Sequence, residues 1–231
     1  MKVKRKNQGF TLIELLVVIT IIALLASMAM PAFKGIQIRA KITKDISNVK
    51  QIILACRTFA SDWNGSYPSF DPNATGGGSS NSNFSTSTEA FNVLIPDYID
   101  TESIFWTPSQ NPDKLQPPVE DGILNQQENS FVYVSGQTDT TFSRSPLIAD
   151  EMTGPGTYGE FHPWLSEGKA VVGYVGGHAN AENLSQKEAG ATVRSADGRI
   201  QDIFQKRSSG SGGGGASGGL LAVDPGRILL P

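Results

Sequence analysis

Apolar positions follow three successive patterns along the chain. From Phe10 to Met30 the sequence reads FTLIELLVVITIIALLASMAM, twenty-one residues in which Glu14 is the only charge. Its apolar side chains would cover every face of a helix, so the stretch is not an ordinary amphipathic surface helix, and its length matches a bilayer span. After Pro31 the pattern becomes one-sided. Ile42, Ile46, Val49, Ile53, Cys56 and Ala60 recur at spacings of four and three, while Lys44, Asp45, Asn48, Lys50 and Gln51 are placed on other faces. This predicts an amphipathic helix lying on a globular domain. Pro31 cannot donate a helical hydrogen bond, which predicts a kink or local unwinding there. A helix from Phe10 to about Trp63 would be about 80 Å long. Asn64 and Gly65 end it, and Tyr67-Pro68 sets an extended exit.

The third pattern is a set of short apolar runs separated by turn residues. Residues 71–88 are rich in Gly, Ser, Asn and Thr and read as a loop. Thr86 and Glu89 then form a capping-box pattern ahead of a short helix stopped by Pro96, with Phe91, Leu94 and Ile95 facing the core. Residues 130–135, 146–150, 169–175, 180–184 and 199–204 read as strands. Turn-rich loops join most of them, which predicts an antiparallel sheet packed on the amphipathic helix: an α+β domain. Residues 208–219 are almost wholly Gly and Ser, and 208–231 read as a flexible tail dispensable for folding. The expected division is therefore 1–9 as a leader, 10–32 as an apolar helix, 33–63 as an amphipathic helix, 64–207 as the globular domain, and the tail.

Charge adds a topology signal. Lys2, Lys4, Arg5 and Lys6 precede the apolar run, and no acidic residue appears before Glu14. These basic residues should stay cytoplasmic and place the rest of the chain outside. Of 19 basic residues, removing these four leaves 15 against 22 acidic ones. An acidic remainder without a basic cluster argues against nucleic acid as a partner. Cys56 stands alone, so no intramolecular disulfide is possible, and a small buried apolar role suits it. His162 and His178 flank the VVGYV run, but two ligands do not close a metal site. Gly154, Gly156 and Gly159 satisfy G-x-G-x-x-G, yet Pro155 and His162-Pro163 spoil the helix that phosphate binding needs, leaving a turn-rich loop. No catalytic residue set and no metal site is nominated, and an enzyme is not expected.

Glu14 decides how the apolar run is read. A secretory signal peptide would share the basic start, and Ser27 and Ala29 offer a small-x-small cleavage site. A signal peptide gains nothing from a carboxylate, however, and at the centre of a spanning helix one costs about 2.5–3.5 kcal/mol, less near an end. Gly9, Phe10, Thr11, Leu12, Ile13 and Glu14 spell G-F-T-L-I-E, which resembles the prepilin cleavage and methylation motif, with Pro31 where that family often carries a helix-bending proline. The stretch FASDWNGSYPS is similar to the end of the long helix in major pseudopilins. SPLIADEM, His162 and VVGYVGGHANAENL together resemble the C-terminal part of prepilin-like proteins of planctomycetes and verrucomicrobia, with Gly176-Gly177 where Asp-Gly would stand.

The resemblance to type IV pilin-like proteins and type II secretion pseudopilins implies cleavage after Gly9 by prepilin peptidase and N-methylation of Phe10. It implies a bacterial inner-membrane, single-pass chain with its C-terminal domain in the periplasm, and assembly through Glu14 with other pilin-like subunits at an inner-membrane platform. It also implies calcium in a C-terminal acidic loop, but no such loop is identifiable here, so no cofactor is assigned. The alternative is an exported or membrane-anchored ligand-binding protein that uses residues 10–30 as signal or anchor.

Overall fold

The structure, a computed structural model, describes residues 10–72, 84–108, 117–194, 202–205 and 227–231, with only the backbone at Pro31 and Ala32. The fold is α+β, with a long apolar N-terminal helix ahead of an antiparallel sheet domain. The chain divides into two units, Met1–Lys41 and Ile42–Pro231. The first helix, α1 (Leu12–Asp62), contributes to both. In the first unit every side chain from Phe10 to Met28 is exposed. Residues Leu12–Met30 are long and apolar enough to cross a membrane. α1 stays helical through Pro31, with no unwound residue on either side.

In the second unit, α1 buries Asp45, Asn48, Val49, Ile52, Ile53, Ala55, Cys56, Phe59 and Ala60. The apolar stripe is therefore as predicted from Val49 onward, whereas Ile42 and Ile46 are only half-buried. Asp45 and Asn48 correct the reading that placed them on other faces: each lies three or four residues from Val49 or Ile52 and so shares the buried side. The helix closes where the sequence indicated. Asn64 and Gly65 take φ values of 51° and 79°, and the Gly65 N–H donates to the Ala60 carbonyl at 2.7 Å.

α2 (Ser87–Asn92) opens with the predicted capping box between Thr86 and Glu89. The sheet contains β1 (Phe131–Val134), β2 (Pro146–Asp150), β3 (Lys169–Tyr174), β4 (Ala179–Leu184), β5 (Val193–Arg194) and β6 (Ile228–Leu229). Their order is β5-β4-β3-β2-β1-β6, with every neighbouring pair antiparallel. Strands β1 and β2 are wholly buried, so the middle of the sheet is covered on both faces. On the α1 face, a Cβ placed on Gly173 would fall 2.6 Å from Ile53 Cδ1, so glycine lets helix and sheet approach closely. On the opposite face Val132, Val134, Ala149 and Val172 pack with Tyr158, Ile203, Phe204 and Ile228.

Two further sequence expectations need correction. No strand forms over the described part of residues 199–204: Asp202–Gln205 make a turn in which Asp202 accepts the Phe204 N–H at 2.9 Å. Ile203 and Phe204 are core residues all the same. Residues 199–201 lie outside the described residues. The tail is not wholly outside the fold either, because β6 pairs with β1 and buries Ile228 and Leu229.

Candidate functional site

The start of α1 is where the predicted processing and assembly residues fall. A helix beginning at Leu12 leaves its first N–H groups without intrahelical acceptors. Thr11 and Glu14 supply them. The Thr11 backbone N–H donates to Glu14 Oε2 at 2.9 Å, and the Glu14 N–H donates to Thr11 Oγ1 at 3.3 Å. This is a reciprocal capping box. The Thr11 hydroxyl also donates to Glu14 Oε2 at 2.7 Å. Phe10 lies immediately before the cap, 79% exposed, and Gly9 lies outside the described residues. Glu14 is therefore held at the positive end of the helix dipole, one turn from the position that an amine on Phe10 would occupy.

The prokaryotic N-terminal methylation motif matches residues 4–30, which contain Lys4, Arg5 and Lys6 of the basic leader, Gly9-Phe10, Glu14 and the apolar run. The chain carries a type IV pilin-like amino terminus. It is 42% identical over 57 residues to the type IV major pilin protein PilA of Myxococcus xanthus strain DK1622; the match covers 25% of this chain and 26% of that protein. The chain thus spans about a quarter of the length of the curated relative it matches. No solved structure matches it.

The remaining candidates lie in the second unit. His162 is buried, with Nε2 2.9 Å from the Lys169 carbonyl and 3.6 Å from Asp150 Oδ2, and its ring meets Tyr158 edge-on. Burial pushes its pKa down to about 4. His178 instead stacks on Tyr174, with ring centroids 4.6 Å apart. The two histidines thus serve opposite ends of β3 and are not brought together. Among the described residues no group of three or more His, Cys, Asp or Glu side chains is arranged to hold a metal ion.

Gly154 and Gly156 belong to a tight turn in which the Thr157 N–H donates to the Gly154 carbonyl at 2.9 Å. No helix opens at these glycines, so they lack the context that a phosphate loop requires. The Cys56 thiol is buried, and desolvation raises its pKa.

Sequence reasoning missed the buried acids. Asp45 Oδ1 accepts the Thr107 hydroxyl at 2.8 Å, and Asp150 Oδ2 accepts the Val171 N–H at 2.8 Å. Burial pushes the Asp45 carboxyl up to about 7, with Thr107 opposing the shift and Asp150 adding to it. The Asp150 carboxyl is raised mainly by burial, despite the Val171 hydrogen bond. The Asp45 bond ties α1 to the loop at Thr107, and the Asp150 bond ties β2 to β3.

Proposed function

We propose that this chain is a pseudopilin: a structural subunit of a type II secretion filament or a related pilus-like filament, anchored in the bacterial inner membrane with its sheet domain outside. Prepilin peptidase cuts between Gly9 and Phe10, Phe10 is N-methylated, and the exposed apolar part of α1 enters the filament core beside those of other pilin-like subunits. One observation carries this reading. A complete G-F-T-L-I-E motif with its basic leader runs into the start of a helix whose side chains are all exposed from Leu12 to Met28. Such a surface needs lipid or other copies of itself. The Asn-Gly helix end without a disulfide supports a pseudopilin over a disulfide-bearing pilin.

Intact-mass analysis of the membrane-extracted protein tests the reading. The expected species lacks nine residues and carries one added methyl group. An N-terminus at Met30 would instead show a removed signal peptide and overturn it.

A further inference from the structure

Among the described residues of the second unit, three large aliphatic side chains are more than half exposed: Leu54 at 66%, Val119 at 63% and Ile123 at 62%. Apolar residues scattered singly over a surface need no explanation. These three are instead grouped around residues 98–104. Leu54 borders a groove that α1 forms with that segment, lined by Ala55 and Thr58 on the helix side and by Tyr98, Ile99 and Ile104 on the other. Val119 and Ile123 belong to a loop pinned to the turn Glu102–Phe105. The Glu102 and Ser103 N–H groups donate to the Glu120 carboxylate at 2.8 and 3.1 Å. The Gly122 N–H donates to Glu102 Oε1 at 2.6 Å, and the Val119 N–H to Glu128 Oε1 at 3.1 Å. Glu102 and Glu128 are buried. A buried carboxylate needs fixed donors, and here the main chain of a loop that leaves two aliphatic side chains in water supplies them. The loop is a rigid knob.

We propose that the Val119–Ile123 knob of one copy docks in the Leu54 groove of the next. This deepens the filament reading and rests on it for the proximity of copies. The charge pattern selects a second copy as the occupant. Glu120 and Asp121 separate the two aliphatic residues of the knob, whereas Lys50 and Arg57, both exposed, lie four residues before and three after Leu54 on the same side of α1. Asp100 lies on the other side of the groove, so an acidic knob is drawn toward the helix and repelled from the loop, which fixes its orientation. The exposure of Val119 and Ile123 shows that the knob does not fill the groove of its own chain. Two different patches that fit each other make a head-to-tail contact, which repeats from copy to copy instead of closing on a pair. A loop already held by its hydrogen bonds loses little freedom on docking.

Cross-linking tests the pairing. Full-length Leu54→Cys and Ile123→Cys chains, co-expressed and treated with a short bis-maleimide in the membrane and sheared-filament fractions, are expected to give a 54–123 linked dimer. The native Cys56 is buried and does not compete. The yield should exceed by about tenfold that of Leu54→Cys with Lys187→Cys, an exposed position elsewhere on the domain. Filaments that link 54 to 54, or 54 to 123 no better than 54 to 187, overturn the docking and leave the filament reading intact. Absence of filaments from the wild-type chain overturns the filament reading, and the docking with it.

A second measurement reads the contact without a cross-linker. Leu54→Asp and Ile123→Asp alter exposed side chains, so both chains should be cleaved and as abundant in the membrane as wild type. Each is expected to lower sheared-filament yield about tenfold by removing an apolar side chain from the centre of the contact. Wild-type yield from both variants refutes the proposal.

Discussion

A carboxylate at the third position of a helix can cap the helix or meet a cation, and Glu14 is placed for both. Its capping bonds to Thr11 hold it within the subunit, while the proposed assembly role needs its charge beside the Phe10 amine of a neighbour. Two substitutions separate these uses. Glu14→Gln keeps a capping-box residue without the charge, whereas Glu14→Leu removes both and lowers the cost of the residue in the membrane. If charge drives assembly, both variants remain cleaved and abundant in the membrane fraction, and both lose sheared-filament yield. Wild-type yield for Glu14→Gln alone would assign the residue to capping, worth about 0.5–2 kcal/mol. The T-x-x-E signature was legible at Thr86, and it stands unchanged at Thr11. There the apolar run and the cleavage motif drew attention to the charge of Glu14 and away from its local hydrogen bonds.

Asp45 was misread for a different reason: its polarity outweighed its helical position, four residues before Val49. Burial holds its folded pKa near 7 against a reference of 3.8. Between those values the folded state keeps a proton that the unfolded state has released, so this group's contribution to stability falls as pH rises from about 4 to about 7. His162 acts oppositely. Its folded pKa of about 4, against 6.5, costs stability as pH falls between those values. Asp45→Asn keeps an acceptor for Thr107 and removes only the first effect. Its stability relative to wild type should therefore increase by up to a few kcal/mol between pH 4 and pH 7, read from urea midpoints at the two ends. A constant difference across that range would show that Asp45 does not hold its proton in the fold.

At the scale of elements, β1, β2 and β3 were visible because each is a run rich in apolar or β-branched residues bounded by turns, and Lys169–Tyr174 and Pro146–Asp150 emerge almost as read. β5 and β6 have two residues each, too few for alternation to register. Conversely, Ile203 and Phe204 carried a strand-like composition yet pack as a turn against the sheet. Composition reports burial, and pairing depends on what lies alongside. The junction of α1 and β3 shows the same limit. Gly173 reads as a weak point in a strand, but it is where Val49 and Ile53 enter. Gly173→Val should lower stability by about 1–3 kcal/mol or more through overpacking, measured by denaturation. A neutral result would mean that α1 can shift away without loss.

At the scale of the whole molecule, the division at Lys41 separates a helix that exposes its apolar surface from a domain that buries its own. The change in pattern from all-round to one-sided apolar residues indicates two such parts but puts their boundary between residues 32 and 33, ahead of Lys41. The far boundary was not legible, because a Gly/Ser-rich stretch reads as the end of a fold even when the chain returns beyond it. A fragment of residues 34–231 should be soluble without detergent and melt cooperatively, since α1 from Asp45 onward, α2 and the sheet supply the core. A fragment of residues 34–207 lacks β6. Burying Ile228 and Leu229 is worth about 1.5–3 kcal/mol each, offset by about 1–2 kcal/mol for ordering each of these two residues, leaving a net of about 1–2 kcal/mol. For a domain of this size that corresponds to a Tm lower by about 2–8 °C. The shorter fragment also leaves the β1 edge unpaired and should associate more readily as concentration rises. Equal melting temperatures and equal sedimentation for the two fragments would show that β6 contributes nothing to the domain, and the edge of β1 would then need another explanation for its stability.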